Sequence, residues 1–429
     1  MSYSKLIALG FMAFALFLGA GNIIFPPMLG QGSGEFFGQA ITGFLITAVG
    51  LPALTLLIIA YLGGSDNVTG KLPRWGHLMF WSTLFLIIGP LFNMPRTYTV
   101  AYEFALKPFL GDDFLLPATI FFGGVTLFFA LSPGKLMDRV GKLLTPIILI
   151  MIALMTYSAI NTPHGSPVEV AEQYQHFAFA ASLSEGYMTM DVLGAIGFGW
   201  LIVNAIKSTN TTQPLMQEMV RVVIVYATAM SLVYIALAHI GSSFGDEQSN
   251  GGALLSAYMG WIYGQPGKIL LGGVMAIACL TTAIGLTCAC SDYAEKNFAG
   301  FNYTYTAIGI VVATIAVANL GLETIISITL PLVVVLHPVT ITVLALALVY
   351  HKRAINLPVY GATITASIIG GGIDAAKILG VLSEQLTETF TTYLPLFAYN
   401  ISWLVPTILV FAISHILAKC LAGNKLATA

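Results

Sequence analysis

Apolar residues run along this chain in blocks of about 20, closed off by short polar or Gly/Pro-containing stretches, and a bilayer core roughly 30 Å thick needs about that many residues per helix. Such blocks lie at approximately 6–29, 39–62, 77–105, 114–132, 143–160, 191–206, 219–240, 267–290, 304–320, 323–350, 358–375 and 396–418. The pattern predicts an all-α polytopic membrane protein with about 12 transmembrane helices. Its most polar connections are 161–190, with Glu169, Glu172 and Glu185, and 241–266, with Asp246 and Glu247.

Lys and Arg near span ends stay cytoplasmic, so their distribution orients the spans. One side receives Lys5, Lys71, Arg74, Lys135, Arg139, Lys142, Lys207, Arg221, Lys296, Lys352, Arg353, Lys419 and Lys425; the other receives Lys107, Lys268 and Lys377. This places both termini in the cytoplasm and the two long polar loops outside.

Composition agrees with the pattern. Of 429 residues 57% are hydrophobic and 8% charged, against roughly a quarter charged in soluble domains. The net charge is −2 and no dense Lys/Arg run exists, which excludes nucleic acid and a polybasic lipid anchor as readings. Lys5 followed by Leu6–Leu18 has the outline of a signal peptide, but no small-residue cleavage site follows. Cys279, Cys288, Cys290 and Cys420 sit in apolar segments without C-x-x-C or metal-ligand spacing, so they read as packing residues.

The first and sixth spans both carry glycine clusters: Gly19-Ala20-Gly21-Asn22, and Gly194, Gly197 and Gly199 within "LGAIGFGWLIVN". The first block holds five spans, an odd number, so the second block enters the membrane from the opposite side. The division expected is a first five-helix repeat (1–160), an external polar loop (161–190), a second, inverted repeat (191–350), and two accessory helices with a cytoplasmic tail (351–429). Paired Gly-interrupted segments in inverted halves point to a transporter's central site. An unwound helix exposes backbone groups that protein, ion or ligand must satisfy. The half-helix starting near Asn22 would aim N–H groups and a positive dipole end at an anion. The one ending near Leu18 would offer carbonyls to a cation or ammonium group. Helix packing through small residues is the competing reading of either cluster.

Three further positions carry chemistry. Thr281 and Thr282 lie mid-span in "IACLTTAIGLTCAC", as hard hydroxyl ligands or as helix back-bonding groups. Arg96, in "GPLFNMPRTYTVAYE", costs about 2.5–3.5 kcal/mol to insert, so it faces a cavity or a partner. Glu103 lies two turns on along the same face, so Arg96 is either a gate or anion-attracting residue near the outer vestibule, or a structural group paired with Glu103 or with freed carbonyls around Pro95. His337 beside Pro338 is either a proton carrier or a hydrogen-bonded kink residue. No convergent set such as H-E-x-x-H marks an enzyme, and no repeated pore motif marks a channel.

"LGAGNIIFPP", "GPLFNMPRTYTVAYE" and "LTTAIGL", with the span layout, resemble the bacterial branched-chain amino acid:cation symporters, the LIV carrier family within the amino acid-polyamine-organocation superfamily. The likeness covers nearly the whole chain. It implies a LeuT-type 5+5 inverted repeat with broken helices 1 and 6, in the bacterial cytoplasmic (inner) membrane. The implied activity is sodium-coupled uptake of Leu, Ile and Val by alternating access; the alternative is a proton-coupled transporter of another neutral amino acid or small solute. By the same resemblance, amides of Ala20 and Gly21 near Gly19 and Asn22 would hold the substrate carboxylate. Carbonyls near Phe17, Leu193 and Ala195 would take the ammonium group, and Phe198, between Gly197 and Gly199, would close over the side chain. One sodium ion would be held by carbonyls of Ala15, Leu18 and Ala278 and hydroxyls of Thr281 and Thr282. A second is not expected, because Leu193 stands where two-sodium relatives have a hydroxyl. No organic cofactor and no obligatory protein partner is expected.

Overall fold

A computed structural model of the chain describes residues 2–132, 142–162, 164–165, 168–209, 212–248 and 250–427, with Asp112 and 421–427 described by backbone alone. Lys135 and Arg139, and the side chain of Lys425, invoked above for orientation, lie outside the described residues. Among the described residues the protein is all-helical, 84% helix. Helices α1 (Tyr3–Phe17), α2 (Ala20–Ser33), α3 (Phe37–Leu45), α4 (Leu51–Leu62), α5 (Arg74–Leu86), α6 (Asn93–Ala101), α7 (Lys107–Leu110), α8 (Leu115–Ala130) and α9 (Thr145–Asn161) form the first part. They are followed by α10 (Glu172–Tyr187), α11 (Asp191–Lys207), α12 (Leu215–Ser242), α13 (Gly251–Tyr263), α14 (Gln265–Asn297) and α15 (Tyr303–Ala318). The chain ends with α16 (Leu322–Val349), α17 (Leu357–Ile378), α18 (Glu384–Tyr393) and α19 (Leu404–Ala427).

Each expected block contains helix. Among the described residues, six helical stretches are long and apolar enough to cross a bilayer, and α10 with α11 makes a seventh if that bent pair is one span. Helices α10, α13 and α18 lie where the hydropathy pattern left connections. The 161–190 stretch expected as a polar loop is therefore corrected: α10 occupies Glu172–Tyr187. Within it Glu185 accepts from Tyr174 at 2.6 Å and from Gln173 at 2.8 Å.

Two compact units are present, residues 1–65 with 74–326, and residues 66–73 with 327–429. In the second, α17 packs closely on the start of α19: Gly370 faces the Trp403 backbone, and the buried Asp374 accepts from the Ser402 amide at 3.0 Å. His337 is buried with Nδ1 2.9 Å from the Val333 carbonyl one turn back, the arrangement of a kink residue.

The first unit contains all the candidate site residues. The N–H groups of Pro26 and Pro27 are missing from α2, so the carbonyls of Asn22 and Ile23 lose their intrahelical donors. That helix lies against α12 at backbone contact, Gly30 on the Ala238 carbonyl and Gly241 on the Pro27 carbonyl. The third span bends before α6, where Gly89 leaves helical angles (φ −88°, ψ −120°) and Pro90 has no N–H to give. This bend sets the start of α6, and with it the direction of Arg96.

Candidate functional site

The first span is interrupted where the glycine cluster predicts. Helix α1 stops at Phe17, Leu18 turns out with ψ 82°, and Gly19 is extended before α2 begins at Ala20. The interruption is stabilised from the chain itself: the Gly19 amide donates to Asn22 Oδ1 at 3.0 Å, an Asn side chain satisfying a free N-terminal donor.

The sixth span is interrupted elsewhere than expected. Residues Gly194, Gly197 and Gly199 lie inside the continuous helix α11, and the break falls at Met188–Met190, with a bend of 46° between α10 and α11. The expectation of an unwound 194–199 segment is corrected, and the reason is packing. Gly197 meets Phe85 and Ile88, and Gly199 meets Ile59 and Ser65, so these glycines let neighbours approach. The real break turns on Met190, a non-glycine residue at φ 64°, held between Thr189, which donates to the Gly186 carbonyl at 2.8 Å, and Asp191.

The two breaks meet through buried polar side chains. Asn22 Nδ2 donates to Asp191 Oδ2 at 2.7 Å. Tyr234 of α12 donates to the same oxygen at 2.9 Å and accepts from Asn22 Nδ2. Asp191 opens α11, where the helix dipole favours a negative charge. Arg96 reaches in from α6: Nη1 donates to the Met188 carbonyl at 3.1 Å, and Nη2 lies over Gly21. Glu103 does not pair with it. That carboxylate pairs with Lys107 at 2.9 Å, one turn along, so the Arg96–Glu103 ion pair is corrected.

Residues expected to hold the ion gather at the free end of α1. Thr281 donates to the Ala15 carbonyl at 2.7 Å and to the Ala278 carbonyl at 2.8 Å. Thr282 donates to Leu16 at 3.0 Å, two residues short of the Leu18 carbonyl expected. The group is entirely neutral oxygen, the donor type that unwound helices present to alkali cations. Among the described residues no cluster of three His, Cys, Asp or Glu side chains is arranged for a metal. Beside it stands an apolar wall: Phe17 meets Phe198 edge-on at 5.3 Å and Tyr226 at 4.7 Å. Leu193 and Ala195 are buried in the first turns of α11.

Asp191 and Tyr234 were not among the residues singled out from sequence. The signal for Asp191 was available, since a buried Arg within apolar spans requires negative charge nearby.

Residues 2–421 match the family described as branched-chain amino acid transport protein. The chain belongs to that family. Similar members include the branched-chain amino acid permease BrnQ of Escherichia coli K12, 36% identical over 96% of this chain and 95% of the permease. Permease BraB of Bacillus subtilis is 35% identical over 98% of this chain and 96% of BraB. The branched-chain amino acid transport system 2 carrier protein of Pseudomonas aeruginosa is 36% identical, covering 99% and 98%. Among solved structures, Mhp1, a nucleobase-cation-symport-1 family transporter captured closed with bromovinylhydantoin, superposes with TM-score 0.64, 13% identity, and 97% and 93% coverage. A Na+-coupled sialic acid symporter in a substrate-bound outward-open state gives TM-score 0.62, 13% identity, and 96% and 90% coverage. These likenesses show the fold, which is of the LeuT type. A branched-chain amino acid transport protein is a membrane carrier, not an enzyme.

Proposed function

We propose that this protein imports leucine, isoleucine and valine across a bacterial cytoplasmic membrane, coupled to sodium, by alternating access, with both termini in the cytoplasm. The observation that carries the reading is the meeting of two helix breaks in one buried site, beside the Ala15–Thr281–Ala278 oxygen set. In this chain, family membership supports a branched-chain substrate.

In the proposed cycle a sodium ion turns the Thr281 and Thr282 oxygens from donating to the carbonyls of Ala15, Leu16 and Ala278 to sharing a cation with them. That draws the end of α1 against α14. The substrate's zwitterion completes the breaks, its carboxylate at the amides opening α2 and its ammonium group at the carbonyls ending α1. Its branched side chain lies against Phe17, Phe198 and Tyr226, where each buried CH₂ contributes about 0.8 kcal/mol. Alanine then binds more weakly than leucine. Rocking of the bundle that contains α1, α2, α10 and α11 exposes the site to alternate sides.

The test is uptake of labelled leucine into proteoliposomes at fixed pH with an inward sodium gradient, and with choline in its place. Sodium-driven accumulation supports the reading. Accumulation indifferent to sodium but driven by a pH gradient overturns sodium coupling and favours a proton-coupled carrier.

A further inference from the structure

We propose that Arg96 is the side chain that takes the substrate's α-carboxylate, acting with the amides of Ala20 and Gly21 at the start of α2. This rests on the transport reading above and names the group that selects its substrate class.

Arg96 is 5% exposed, yet its hydrogen bonding is incomplete. Nη1 donates to Met188 and Nη2 makes a long 3.4 Å contact with Asn93, while Nε reaches no acceptor. A guanidinium has five N–H donors, and leaving several unmet in a buried site is costly. Among the described residues no carboxylate stands within ion-pair distance; Asp191 acts on Arg96 through space, its Oδ2 already accepting from Asn22 and Tyr234.

Its position narrows the missing partner to an anion. A Cβ on Gly21 would lie 2.9 Å from Nη2, so the absent side chain is what admits the guanidinium to the N-terminus of α2. Two positive elements, the guanidinium and the helix dipole, then face one spot, and each is stabilised by a negative ligand there. A carboxylate matches the Arg fork in two parallel hydrogen bonds. Because Nη1 also holds the Met188 carbonyl, a carboxylate at Arg96 touches the first break directly and the second through one side chain. The ligand class that follows is an amino acid with a free α-carboxylate; the corresponding amine, amide and ester lack what Arg96 recognises.

The test compares inhibition of labelled leucine binding by unlabelled leucine and by 3-methylbutylamine, which is leucine without its carboxylate, in purified wild type, Arg96→Gln and Arg96→Lys. Loss of one charge-assisted interaction predicts roughly a 30-fold weaker apparent leucine affinity in Arg96→Gln, with amine affinity changed about threefold or less, and an intermediate value for Arg96→Lys. Gly21→Ala, which displaces the guanidinium but keeps its charge, should show the same split on a smaller scale and serves if the Arg96 variants do not fold. Equal loss for leucine and the amine, or retention of the full leucine preference in the variants that fold, overturns the assignment. Absence of leucine binding in the wild type is a separate result, and it overturns the transport reading.

Discussion

Asn22 Nδ2 sits 2.7 Å from Asp191 Oδ2, so the opening turns of α2 and α11, just past the breaks of two spans far apart in sequence, share one buried hydrogen bond. Asn22 uses its other side-chain atom to accept from the Gly19 amide. The shape of the first break is thereby tied to the second. Hydrogen bonds to charged groups contribute about 1.5–3 kcal/mol, and a lost N-terminal cap costs about 1 kcal/mol. Asp191→Asn and Asn22→Ala should each lower kcat/KM for leucine uptake by roughly 10- to 100-fold. The double variant should lose less than the product of the two, because both act through one contact. Fully multiplicative losses in proteoliposome uptake would show that the bond does not couple the breaks.

Thr281 bridges two carbonyls while Thr282 reaches one. If these hydroxyls turn to a sodium ion, removing either weakens ion binding more than substrate binding. Thr281→Ala should raise the half-saturating sodium concentration by about tenfold, and Thr282→Ala by somewhat less, with leucine uptake largely recovered at saturating sodium. An unchanged sodium dependence in both variants removes this site.

How far these features could be read from sequence depends on what causes each. The break at Gly19 was legible because its cause is local: glycines free the backbone and Asn22, three residues on, caps it. The break at Met188–Met190 was not, because no glycine makes it. Met190 is held at φ 64° by its surroundings, with Arg96 of another helix bonded to the Met188 carbonyl. The glycines that attracted attention in α11 answer to Phe85, Ile88 and Ile59, packing partners invisible in a linear pattern. The contact of Thr281 and Thr282 with the end of α1 follows the family resemblance, whereas Asp191, at the edge of an apolar block, was signalled only indirectly, by the charge that a buried Arg96 needs nearby. Helix was legible within the apolar blocks, since a chain of bilayer length has few other ways to satisfy its backbone, but not in α10, α13 and α18, which lie in the more polar connections.

Gly30 and Gly241 should be indispensable for packing. A methyl group at either position would overlap a backbone carbonyl of the facing helix, Ala238 or Pro27, neither of which can swing aside. Overpacking of this kind costs about 1–3 kcal/mol, so Gly30→Ala and Gly241→Ala should each lower the thermal midpoint in detergent. Gly38, exposed in α3 with nothing within 4 Å of its would-be Cβ, is the control. Gly38→Ala should leave the midpoint unchanged or slightly raised, as alanine favours helix. A destabilised Gly38→Ala beside unaffected Gly30→Ala and Gly241→Ala would contradict this account of α2 and α12.

Glu103 and Arg96 lie on one span and invite the same role, but their surroundings separate them. Glu103 pairs with Lys107 at 2.9 Å, and the two side chains remain 28% and 37% exposed. An i,i+4 pair with that access to solvent contributes about 0–1 kcal/mol, and nothing in it reaches the breaks. Glu103→Gln should therefore change leucine kcat/KM by less than about fivefold, while Arg96→Gln, from a sealed position touching both breaks, causes a far larger loss. A transport defect in Glu103→Gln as deep as that of Arg96→Gln would mean that the two act as one gate, and that the buried guanidinium draws its partner from the end of its own span.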